Sequence, residues 1–213
     1  MREWLRSFYR QLGDPILPTT RLALALAVVP LAFASTQPLW SIHFTAPQYP
    51  SGLDLFVYTH TIAGGNGGID LPEINTLNHY VGMQKLDPAD FAELDFIPFA
   101  MGALALLALR VAVIGDVRAL LDLAVLTGYF GLFALGRFVF MLYNYGHDLD
   151  PRAPIRMEAF MPPIIGTKQM GNFTVSSWPG EGTLLMTAFG AIVVGFAVWH
   201  TLRPRAPARA HAA

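Results

Sequence analysis

The chain has 213 residues, of which 54% are hydrophobic and 14% charged, with a formal net charge of −1. Soluble domains carry about 25% charged residues, so this composition argues against a cytosolic enzyme and against a disordered chain, and the balanced charge offers no basic surface for nucleic acid. Cysteine is absent, which removes disulfides, thiolate zinc sites, Cys-ligated iron–sulfur clusters and c-type haem attachment.

A bilayer span needs about 20 mostly apolar residues, and four stretches meet that length. A polar segment, 1–21, precedes the first span at 22–40. Pro30 and Pro38 interrupt this span, as membrane helices tolerate. Ala32-Phe33-Ala34 resembles a signal-cleavage site, although the apolar run continues past it. The second span is 96–114, a tight turn occupies 115–118, and the third span is 119–143. The fourth is 183–202, followed by a short tail, 203–213. Arg2, Arg6, Arg10 and Arg21, then Arg110 and Arg118, then Arg203, Arg205 and Arg209 all fall at one end of these spans. The positive-inside rule therefore predicts a multi-pass protein of a bacterial cytoplasmic membrane, with both termini cytoplasmic and both long loops periplasmic. Trp40, Tyr143, Tyr145, Trp178 and Trp199 sit at span ends, where aromatic belts form. Within the third span, Arg137 lies near the outer interface. It is expected to anchor there by snorkelling or to pair with Asp148 or Asp150.

The loops, 41–95 and 144–182, are far longer than linkers need to be, and such loops carry structure or function. Leu53, Leu55 and Val57 alternate with Asp54, Phe56 and Tyr58, which predicts a strand. After a Gly64–Gly68 turn, Asp70 reads as the cap of a short helix with Pro72 in its first turn. Ile74, Leu77 and Val81 form its apolar face. Asp87-Pro88 starts another helix that leads into the second span. In the second loop four prolines forbid a long helix, and 171–174 and 178–180 read as turns. The expected fold is an all-α membrane protein: a four-transmembrane-helix bundle with an extracytoplasmic cap of short strand(s) and helices from the two loops.

Within the spans only His200 is available as an imidazole ligand, so no bis-His haem is expected in this chain. No G-x-S-x-G or phosphate loop is present, and the expectation is a non-enzymatic protein. Soft ligands are richer outside: His43, His60, His79 and His147, with Met83, Met157, Met161 and Met170. Thioether and imidazole suit copper, cuprous copper above all. His79 and Met83 are four apart, as are Met157 and Met161, and i,i+4 residues share a helical face. The candidate metal set is His79, Met83, His147, Met157, Met161 and Met170. The alternative is that these methionines pack against Tyr80, Phe160, Phe173 and Trp178.

Ala46–Leu53 (APQYPSGL), Glu73–Met83 (EINTLNHYVGM), Tyr145–Pro151 (YGHDLDP) and Pro162–Thr174 (PPIIGTKQMGNFT) resemble segments of the NosB-type integral membrane protein family. That family is associated with clade II nitrous oxide reductase gene clusters. The resemblance implies a setting rather than catalytic residues: a periplasmic copper reductase that must be loaded with copper and supplied with electrons. Three readings follow. One is an accessory protein handling copper, transiently bound, for the reductase's maturation. Another is a membrane scaffold docking the periplasmic copper reductase or its maturation or electron-donor proteins. The third is a quinol or electron-transfer subunit. This last reading requires a roomy lateral cleft near the outer interface, beside Arg137. The copper reading requires His79 and Met83 to share an open space.

Overall fold

A computed structural model describes residues 9–170 and 172–203. Arg2 and Arg6 at the amino end, and Arg205 and Arg209 in the tail, lie outside the described residues. The elements are α1 (Pro18–Ala34), β1 (Trp40–Ala46), β2 (Tyr49–Val57), β3 (Ile62–Gly64), α2 (Asp70–Val81), α3 (Phe96–Ile114), α4 (Val117–His147), β4 (Gly166–Met170), β5 (Phe173–Pro179) and α5 (Glu181–Leu202). A 3-10 segment, Pro88–Asp95, leads into α3.

The fold is mixed α/β, which corrects the all-α expectation. Five antiparallel strands form one sheet in the order β3-β2-β1-β5-β4. The first three strands come from the first long loop and the last two from the second, so the loops build the sheet jointly. Central β1 pairs Ile42 with Leu55 on one side and with Ser177 on the other. Side chains alternate across a strand. Trp40, Ile42, Leu53, Leu55, Val175 and Met170 are buried in a single apolar cluster, while Ser41, His43, Asp54 and Ser176 occupy alternate positions.

The first apolar run also divides differently from expectation. Its helical part, α1, has 17 residues, and Pro38 lies just beyond its end; from Trp40 the chain is strand. Proline cannot supply the next helical N–H, and it disfavours helical backbone at the residue before it. Among the described residues, three helical stretches are long and apolar enough to cross a membrane: Pro88–Ile114, Val117–His147 and Glu181–Leu202. The shorter α1 packs between α3 and α5.

At one end the helices close tightly. Leu24, Ala27, Ala108, Leu120, Leu123, Val193 and Ala197 are almost fully buried. Polar ties reinforce this end. The Thr20 hydroxyl pairs with His200 Nε2 at 3.0 Å, and Gln11 Nε2 donates to the His200 carbonyl at 2.7 Å. Arg21 donates to the Val113 carbonyl at the end of α3, and Asp116 caps α4 by accepting from Ala119 N at 2.7 Å. At the other end α4 is longer than a bilayer crossing requires. Its 31 residues span roughly 46 Å at 1.5 Å per residue, against a hydrocarbon core of about 30 Å. The excess carries Phe138, Met141 and Tyr145 against the sheet's apolar cluster, and Trp40 meets Phe138 at 4.5 Å between ring centroids.

Within the cap, Asp70 has a different role from the expected helix cap. It is the first residue of α2, buried, and its carboxylate accepts from Asp54 N at 2.9 Å and Asn66 Nδ2 at 2.8 Å. It therefore ties α2 to β2. Gly82 ends α2 in the left-handed conformation, with φ of 80°. A Cβ there would lie 2.9 Å from the Asp150 carbonyl, so the second loop approaches too closely for any other residue.

Candidate functional site

The joint between helices and sheet is not filled. A cavity of about 1020 Å³ lies there, at the upper limit of the about 300–1,000 Å³ usual for small-molecule pockets. Its floor is the helix core at Leu31, Leu104 and Phe189, and its roof is the sheet at Ile42, Phe44, Leu55 and Val175. The wall from α4 includes Gly128, Gly131 and Ala134. A Cβ added at Gly128 or Gly131 would meet nothing within 4 Å. On the α4 side the cavity is open. Leu132 and Phe133, both in its wall, are more than 70% exposed.

Among the described residues, the wall carries two charged side chains, Glu93 and Arg137. They form a forked ion pair: Arg137 Nε donates to Glu93 Oε2 at 2.9 Å, and Nη2 donates to Oε1 and Oε2 at 2.5 and 2.7 Å. Both side chains are 39% exposed, which places the pair at the rim. The guanidinium lies 5.3 Å from the Phe140 ring centroid. The pairing corrects the expectation of Asp148 or Asp150 as partner. Arg137 lies twenty residues into α4, roughly 30 Å from its start, and Glu93 sits just before α3. Both therefore lie at the sheet end of the apolar helices. Above them Phe91 and Tyr145 lie nearly parallel, their ring centroids 6.3 Å apart. Among the wall hydroxyls, Thr127 donates to the Leu123 carbonyl and Thr183 to the Leu39 carbonyl.

The residues singled out for copper separate into two groups. Met83 and Met170 both line the cavity. His79 is exposed, its ring 6.2 Å from that of Tyr80, and Met83 does not share its helical face because α2 ends at Val81 and the chain turns at Gly82. His147 is exposed as well. It stacks on Tyr143 at 3.8 Å and donates through Nδ1 to the Tyr143 carbonyl at 2.9 Å. Met157 packs against the sheet cluster, and the Met161 carbonyl accepts from Lys168 Nζ. Among the described residues, no group of three or more His, Asp or Glu side chains is arranged to hold a metal ion.

No family model, curated protein or solved structure matches this chain. Its chemistry is therefore read from the geometry. On the sheet's outer face, His43 Nδ1 and Asp54 Oδ1 are 2.7 Å apart. At the edge of the cap the Tyr49 hydroxyl donates to Glu73, a bond that raises the tyrosine pKa, with burial adding to it. Asp150 is held below the usual carboxylate range by the backbone N–H and then the side chain of Arg152. None of these groups faces the cavity. The chemistry available inside it is apolar contact, aromatic surface and one ion pair.

Proposed function

We propose that this protein is a non-enzymatic, amphiphile-binding accessory subunit of the bacterial cytoplasmic membrane. Its cavity takes the apolar tail of a membrane amphiphile entering from the outer leaflet, and the polar head rests at Glu93 and Arg137. The observation that carries this reading is the large apolar cavity with its single ion pair at interface depth. An empty apolar space of this size beside lipid tails is expected to fill with chains, and a charged pair at its rim would orient them. In the same reading the chain is multi-pass with both termini cytoplasmic, supported by Arg10, Arg21, Arg110, Arg118 and Arg203 at one end. The NosB-type resemblance supplies the setting of nitrous oxide respiration, with the cap available to a periplasmic copper reductase or to its electron donors.

The test uses nanodiscs and an amphiphile bearing a diazirine on its acyl chain. Crosslinks are expected on the cavity walls of the wild type. The double variant Gly128→Leu/Gly131→Leu, which adds side chains where a Cβ meets open space, is expected to lose them and to keep those on lipid-facing α4. Identical crosslink maps would sink the reading. Because the chain has no cysteine, single introduced cysteines at Ser51 and Arg203 report the orientation directly by impermeant labelling.

A second reading, passage of cuprous copper, draws support from Met83 and Met170 sharing the cavity wall. It predicts copper retained after anaerobic loading and desalting, and lost in Met83→Leu/Met170→Leu. Equal copper in both proteins would end it.

A further inference from the structure

We propose that the head group bound at the rim is a neutral ring carrying both hydrogen-bond donors and acceptors, namely an isoprenoid quinol or quinone, and not a phospholipid phosphate. The inference rests on the amphiphile-binding reading above and names the class of ligand.

The charge at the rim decides between them. Arg137 alone would attract a phosphate, as guanidinium groups do. It is not alone: Glu93 neutralises it through Nε and Nη2. A phosphodiester arriving here would meet a carboxylate already seated on the fork, and would have to displace it or lie beside a like charge. Both are unfavourable, since the first breaks the forked pair and the second sets like charges side by side. A neutral head meets no such opposition. Arginine has five N–H donors, and Nη1 makes no hydrogen bond among the described residues, so its donors remain for a carbonyl or phenolic oxygen. The Glu93 carboxylate has four lone-pair sites and can accept from a quinol hydroxyl. One ion pair thus presents a donor and an acceptor side by side.

The surroundings fit a ring. Phe91 and Tyr145, nearly parallel to each other, and the Trp40–Phe138 pair line the same cavity as the ion pair. Aromatic faces favour a planar ring and give a phosphate nothing. Below the rim the walls are mainly aliphatic or aromatic down to Leu104 and Phe189, with a few threonines among them, as a branched hydrocarbon tail tolerates. Binding alone is assigned here, since oxidation of a quinol would need an electron acceptor outside this chain.

The experiment titrates the full chain in nanodiscs with decylubiquinol and decylubiquinone, and separately with a short-chain phosphatidylglycerol, reading binding calorimetrically. Saturable binding of the quinone pair is expected. It should weaken about tenfold or more in Arg137→Gln and in Arg137→Lys, the loss of a charge-assisted hydrogen bond. Lysine keeps a cation for Glu93 but loses the second row of the fork, so it guards against a variant that merely misfolds. Gly128→Leu/Gly131→Leu should abolish binding. Phosphatidylglycerol bound in preference to quinone would overturn the quinol assignment and leave the amphiphile reading intact. Quinone affinity unchanged in both Arg137 variants would overturn the role given to the ion pair. Binding of neither probe, with the filled variant indistinguishable from wild type, would overturn both readings together.

Discussion

The two ends of the helical layer are built from similar apolar residues and reach opposite outcomes. At the inner end, α1, α3, α4 and α5 meet around Leu24, Ala108, Leu120 and Val193, each at most 2% exposed, and side chains from Gln11, Thr20 and Arg21 tie the helix ends together. At the outer end the same helices diverge around a cavity of about 1020 Å³, and the only forked ion pair, among the described residues, stands at its rim. In lipid there is little hydrophobic gain in bringing helices together, so van der Waals packing and hydrogen bonds decide where they close. The inner end has both. At the outer end the sheet takes up the apolar surface of α4, and Gly128 and Gly131 leave the gap open.

This contrast can be broken or sharpened by substitution. The largest effect is expected at the joint that sets the outer end. A Cβ on Gly146 would lie 1.9 Å from the Phe160 carbonyl, and the Phe160 N–H donates to the Gly146 carbonyl. Gly146→Ala should therefore cost about 3 kcal/mol, although alanine is the better helix former. Loss of protease resistance confined to the cap checks it. Leu24→Ala, at the inner end, should cost about 2 kcal/mol in detergent unfolding. Gly128→Leu should cost nothing measurable there, and equal losses at both positions would erase the distinction between the ends. Thr20→Val removes the hydroxyl facing His200 and should cost about 1 kcal/mol, read as a lowered Tm.

The smallest effect is a pH dependence in the cap. The Tyr49 pKa is raised in the folded protein by its hydrogen bond to Glu73. The stability it contributes is complete below the unfolded tyrosine value of about 10 and is lost as pH rises through the folded value. Alkaline absorbance titration should show late tyrosines, and Tyr49→Phe should remove one of them while Tyr145, pushed up to about 12 by burial, remains. No change in the titration curve would place Tyr49 in free solvent.

The three long apolar helices were legible because apolar runs are local signals, whereas the first expected span was not; β2 and α2 were legible too, their periods of 2 and 3.6 standing in Leu53–Leu55 and in Ile74–Val81. The rest depended on partners distant in sequence. β1 begins inside an apolar run that reads as a continuing span, and only Pro38 marks the change. In β5, Phe173 and Val175 alternate with Thr174 and Ser176, a signal masked by the flanking turn residues. Arg137 finds Glu93 forty-four residues away, which no local pattern encodes. The i,i+4 relation of His79 and Met83 does not hold because Gly82 ends the helix between them. A cavity is still harder to read, being defined by side chains from nearly every element and written in none.

The order of the sheet has a consequence for biogenesis. Central β1 is synthesised early, yet its second neighbour, β5, emerges more than 125 residues later, after α3 and α4. Until then the nascent chain holds a three-stranded fragment with β1 as an open edge, the kind of edge that templates wrong pairing. Insertion of α4 also sets where β4 and β5 emerge. The cap is thus assembled last, as a clasp closed by the final quarter of the chain.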